Sequence, residues 1–193
     1  MLNDKQEIKE WLDSMDIENY TINDNFTVDV DGNVNLSAKK LTNIPVQFGI
    51  VKGYFYCNDN QLTSLQGCPH SINNNFFCSA NQLISLEGGP TSVNGDFYCN
   101  DNQLTTLQGC PKFVSGIFYC KNNSIKNLSD FDCEFSDIFY HKGSIIEIFS
   151  EFYIEGELKL TYKDIENIKL NNKLNNTLKN KTETINSINR KKL

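Results

Sequence analysis

Apolar residues return along this chain at two spacings at once. Over short distances they skip one position, as in Phe55-x-Cys57 and Phe97-x-Cys99. That is the period-two pattern of a strand with one face turned inward. Over longer distances the whole pattern recurs every 21 residues: GYFYCNDNQLTSLQGCPHSIN at 53–73, NNFFCSANQLISLEGGPTSVN at 74–94 and GDFYCNDNQLTTLQGCPKFVS at 95–115. It decays through GIFYCKNNSIKNLSDFDCEFS at 116–136 and a truncated copy from Asp137, and it extends backwards through 32–52 with Leu36 in the Cys position. Self-similarity at this period predicts a solenoid, in which each repeat buries its apolar face only against its neighbours.

The frame assigns a task to each column. Phe and Cys point inward from a short strand, and stacked copies predict a parallel sheet. Asn60, Asn81, Asn102 and Asn123 sit where the chain turns, and their amides are placed to satisfy backbone groups left unpaired there. The GCP and GGP segments carry the chain back in extended form, with Ile72, Val93 and Val114 closing each coil inward.

This apolar-x-apolar-x-x-Asn-x-apolar frame, carried by Phe55, Cys57, Asn60 and Leu62 and their copies, resembles the leucine-rich repeat. Its short period and its NQLTSLxGxP segment look most like small bacterial and bacteriophage leucine-rich repeat proteins. The resemblance spans about residues 30–149. It implies an α/β repeat: a leucine-rich repeat solenoid with a parallel sheet on the concave side, an N-terminal helical cap and a short C-terminal helix. The resemblance speaks to fold more than to function; the expected function is a protein-binding scaffold using the concave aromatic face, acting on a host factor in the host cytoplasm if phage-encoded.

The expected organisation is a cap of helix plus hairpin over 1–31, the solenoid over 32–149, and a C-terminal cap with a basic, Asn- and Lys-rich tail over 150–193. In the first helix, Ile8, Trp11, Leu12 and Met15 share one face, with Asp4 as N-cap and Glu7 three residues on. YTINDNFTVDVDGNV reads as a hairpin into the first coil. A second helix, IIEIFSEF, is expected after Ser144.

Charge divides the chain. Residues 1–157 hold 9 Lys or Arg against 21 Asp or Glu, whereas 158–193 hold 9 against 3. An acidic body argues against nucleic acid as partner, except through the tail. No long apolar run or leader is read, so the expectation is a cytoplasmic chain without a membrane span.

Seven cysteines raise metal, disulfide and thiol chemistry in turn. Cys57, Cys78, Cys99 and Cys120 share one interior column that His141 continues. Thiols on strands about 4.8 Å apart fall in a line rather than a tetrahedron, and no Cys-x-x-Cys pair occurs. They read as small buried hydrophobes in a reducing compartment. DVDGN at 29–33 has its Gly too early for a calcium loop and reads as a turn. Neither His70 nor His141 has a nucleophile partner in the frame, so the chain reads as non-catalytic and free of cofactors.

The outward positions of the strands carry the candidate site. Tyr56, Phe77, Tyr98, Tyr119 and Tyr140 form an aromatic column, joined by Tyr54, Asn58, Asp59, Asp96, Asn100, Asp101 and Lys121. Tyr56, Tyr98 and Tyr119 are each expected to present one ring face and the hydroxyl. A contiguous aromatic surface of this kind favours a protein partner, with a carbohydrate-binding module and a cysteine-dependent enzyme or metal site as the alternatives.

Overall fold

A computed structural model describes residues 1–125 and a strand at 134–135. One helix, α1 (Lys5–Ser14), opens the chain; Oδ1 of Asp4 accepts from the backbone N–H of Gln6 and Glu7 at 2.9 and 3.0 Å, which caps its first turn. Its buried side chains, Ile8 and Leu12, join the core, and the Trp11 ring lies 6.5 Å from that of Phe48. Strand β1 (Tyr20–Ile22) pairs antiparallel with β2 (Thr27–Val30), so the hairpin lies where the alternation places it. Within DVDGN, Oδ1 of Asp29 accepts from the N–H of Ile50 at 2.7 Å and Asp31 pairs with Lys52. The stretch therefore ties the entry turn to the next coil.

From there the chain winds as a parallel-sheet solenoid. One row of strands is β3 (Val34–Asn35), β5 (Phe55–Tyr56), β7 (Phe76–Phe77), β9 (Phe97–Tyr98) and β11 (Phe118–Tyr119). These pair in parallel and in register, Val34 on Phe55 and then Phe on Phe, as a five-stranded sheet.

The return limbs form strands too: β4 (Gln47–Val51), β6 (Ser71–Ile72), β8 (Ser92–Val93), β10 (Phe113–Val114) and β12 (Glu134–Phe135). With β1 and β2 they make a seven-stranded sheet, parallel except at the β1–β2 pair. This departs from the expected α/β coil with its sheet on one side. Among the described residues α1 is the only helix, and each described coil is walled by sheet on both sides. The reason is length: 21 residues leave two short limbs and two corners, and the Ser-Ile, Ser-Val and Phe-Val pairs are long enough only to hydrogen-bond to the coils before and after.

The core lies between the sheets. Phe55, Phe76, Phe97 and Phe118 stack along the axis with centroids 5.0 to 5.6 Å apart, Phe48 meets Phe55 edge-on from the other wall at 5.3 Å, and Ile72, Val93 and Val114 line that same wall. The Asn column closes one corner. Nδ2 of Asn81 donates to the carbonyls of Cys57 (2.9 Å), Cys78 and Ser79, while its Oδ1 accepts from the N–H of Leu62 at 2.9 Å. Asn60, Asn102 and Asn123 repeat the arrangement one coil earlier, one later and two later. Gly67, Gly88 and Gly109 form the other corner at φ 92°, 83° and 81°; a Cβ on Gly67 would sit 2.6 Å from the Ile44 and Val46 carbonyls.

Asn81→Ala removes both bonds to the preceding coil; the buried Leu62 N–H loses its acceptor, while the Cys57 C=O keeps the Asn60 amide at 3.1 Å. It is expected to destabilise the fold by about 2 kcal/mol, the cost of one stranded buried donor at 1–3 kcal/mol. Urea unfolding checks this; a change near zero would mean that water replaces the amide.

No helix among the described residues is long and apolar enough to cross a membrane. Tyr140, His141, Cys133, the helix expected after Ser144 and the basic segment at 158–193 lie outside the described residues.

Candidate functional site

Period-two alternation places each Tyr next to a buried Phe but on the opposite side of the strand. Phe55, Phe76 and Phe97 are fully buried, while Tyr56, Phe77 and Tyr98 are half-buried on the outer surface. Because the strands pair in register, the outer rings stack. Tyr56 and Phe77 lie 4.8 Å apart at 7°, and Phe77 and Tyr98 lie 4.8 Å apart at 3°. The stack ends edge-on, with Tyr119 at 6.0 Å and 62° from Tyr98, and Tyr54 covers Tyr56 at 5.9 Å and 25°.

This geometry corrects one expectation. The Tyr side chains do not each present a free ring face. Phe77 is sandwiched between Tyr56 and Tyr98, and Tyr56 between Phe77 and Tyr54. Rings at the strand spacing of about 4.8 Å leave no gap for another group between them. The surface along this column consists of ring edges.

Polar side chains border the stack. Oδ2 of Asp96 accepts from the Tyr98 hydroxyl and from Nδ2 of Asn75, both at 3.2 Å, and its Oδ1 accepts from the Ile117 N–H at 2.8 Å. Burial pushes the Tyr98 hydroxyl above its ordinary pKa, with the Asp96 charge adding to the rise. On the other border, Asn58 donates to Asp59 and Asn100 to Asp101, both within their own turns, and Asn122 donates to Asp101 from the next coil at 2.6 Å. Lys121 is half-buried at the frame position of Asn58 and Asn100.

The structure thus gathers Tyr54, Tyr56, Phe77, Tyr98 and Tyr119 into one stack, hydrogen-bonds Asp96 into it, and sets Asp59 and Asp101 at its edge. Tyr140 falls outside the described residues. Asn75 is an outward position of the same frame, and Asn122 joins the site without having been expected there. Their signal was the frame itself, since Asn33 and Asp96 share the column of Asn75, and Asp59 and Asp101 that of Asn122.

The thiols lie inside. Cys57, Cys68, Cys78, Cys99, Cys110 and Cys120 are buried and unbridged, and Sγ of Cys78 donates to the Tyr98 carbonyl at 3.3 Å. Burial pushes Cys68, Cys78 and Cys99 well above the ordinary thiol value. Neighbouring thiols raise them further, Cys57 at Cys68 and Cys78, and Cys120 at Cys99. A neutral buried thiol is a poor nucleophile and a poor metal ligand. The chain matches no protein-family model, and no curated protein or solved structure matches it.

Proposed function

We propose that this protein is a non-catalytic binding scaffold and that the outer ring stack is its docking surface for a protein partner. The observation that carries the reading is the continuous stack from Tyr54 through Tyr119, half-buried or exposed, with polar groups along both borders. Aromatic rings held rigid by their neighbours lose little entropy on binding, and aromatic residues dominate interface energetics. Ring edges and hydroxyls suit a polypeptide surface. A sugar would need a ring face, and the faces of Phe77 are taken by its neighbours, so the carbohydrate reading is the weaker one.

The repeat itself is read as a short-period leucine-rich repeat. The Asn column supports this, because each Asn ties its corner to the preceding coil. Helix α1 is read as the cap of the first coil, supported by burial of Ile8 and Leu12 and by the Trp11–Phe48 contact.

The test begins with a partner captured from cells and identified. Its affinity for wild type is then compared with that for Tyr98→Ala and Tyr119→Ala. Loss of Tyr98 from the middle of the stack is expected to weaken binding by about 2 kcal/mol, roughly thirtyfold. Affinity unchanged in both variants would refute the reading.

A further inference from the structure

Resting on the ring stack as a docking surface, we infer that its occupant is a cationic polypeptide segment with Lys or Arg beside apolar residues. Over the regular coils from residue 53 onward, charge is shared unevenly between the two walls of the solenoid. Beside the stack stand the carboxylates of Asp59, Asp96 and Asp101, with a single cation, Lys121, at the last described rung. On the opposite wall, the return strands of these coils and their flanks at 70–73, 91–94 and 112–115 contain no carboxylate and carry Lys112, while Asp29 on β2 and Glu134 on β12 belong to the ends of that sheet.

Backbone conformation does not account for the charges. Asp59 and Asp101 adopt left-handed φ values of 57° and 54°, but Ala80 and Asn122 make the same turn at 51° and 54° without a charge. The ring geometry narrows the occupant further. Ring faces within the stack are closed to a cation, so cation–π contact is not the attraction. The aliphatic stem of a Lys or Arg can instead lie across the ring edges while its charged end reaches a bordering carboxylate. An anionic segment would meet three carboxylates at close range.

Calorimetric titration of the full chain with two synthetic peptides tests this: a Lys-Leu-Lys-Ser repeat and a Glu-Leu-Glu-Ser repeat of equal length. Only the Lys peptide is expected to bind. Asp59→Asn combined with Asp101→Asn should weaken it about fivefold, the effect of two exposed charge pairs. Asn is already accommodated at this frame position, so the fold should hold. Asp24→Asn with Glu10→Gln removes the same charge from the β1–β2 turn of the opposite wall and from α1, and should change affinity less than about twofold, because salt screens charges on the far side of the molecule. Absence of saturable binding by the Lys peptide, equal binding of the Glu peptide, or equal losses in the two double variants would each overturn the inference. If the captured partner still loses affinity on Tyr98→Ala in any of those cases, the docking reading stands and only the charge assignment falls.

Discussion

Phe97→Ala is expected to destabilise the protein by about 4 kcal/mol, enough to unfold a marginal domain at moderate temperature. The Phe97 ring is fully buried, with Phe76 at 5.3 Å on one side and Phe118 at 5.0 Å on the other. Removing it opens a hole in the middle of the stack. The neighbouring rings cannot close the hole, because β7, β9 and β11 are held in register by their parallel ladder. In a solenoid each coil touches only the next, so a gap at one rung cuts the core in two. Urea unfolding reads the loss directly, and Phe97→Leu should restore most of it. A loss below about 1 kcal/mol would mean that the inner stack does not hold the coils together.

Alkaline pH should have a comparable effect through a different group. Cys68, Cys78 and Cys99 are fully buried, and burial raises each well above the ordinary thiol value of 9.0. The folded form therefore holds its thiol protons more tightly than the unfolded form. Stability from this source is fully present below the unfolded pKa, near pH 9, and is lost as pH rises toward the folded values. Each thiol contributes a slope of about 1 kcal/mol per pH unit in that window, so three together should unfold the chain within a few units. Denaturant titrations in the presence of a reductant should show a plateau through neutral pH and a steep fall above about pH 9. Cys78→Ala should reduce the slope by one thiol's share. A flat profile through the alkaline range would contradict burial of the column.

What could be read beforehand was what repetition made visible. The Phe-x-Cys strands, the inward Leu residues and the corner Asn each recur at one frame position, and a single coil would have been ambiguous. The N-terminal helix was legible from Ile8, Trp11 and Leu12 on one face behind an Asp4 cap. The second sheet was not. Ser71–Ile72, Ser92–Val93 and Phe113–Val114 are two residues each, too short to show alternation, and they follow Pro. They are strands only because their backbones pair with copies 21 residues away.

The site was legible as positions but not as geometry. Alternation alone placed Tyr56, Phe77, Tyr98 and Tyr119 on the outer side. That the rings of Tyr56, Phe77 and Tyr98 would close face to face follows from in-register pairing at the strand spacing, a property of the sheet rather than of any one repeat. The binding of Asn75 to Asp96 and of Asn122 to Asp101 likewise runs between coils.

Two aromatic stacks thus run side by side along the same strands, the inner one proposed to carry the fold and the outer one the partner. Phe97 and Tyr98 are adjacent residues that belong to one stack each, so unfolding free energies of Phe97→Ala and Tyr98→Ala, measured in parallel, separate the two roles most directly. The account predicts a loss of about 4 kcal/mol for Phe97→Ala and about 1 kcal/mol for Tyr98→Ala, the latter being half-buried and outside the core. Equal losses in the two variants would show that the outer stack is a structural element like the inner one, and would contradict its assignment as a binding surface.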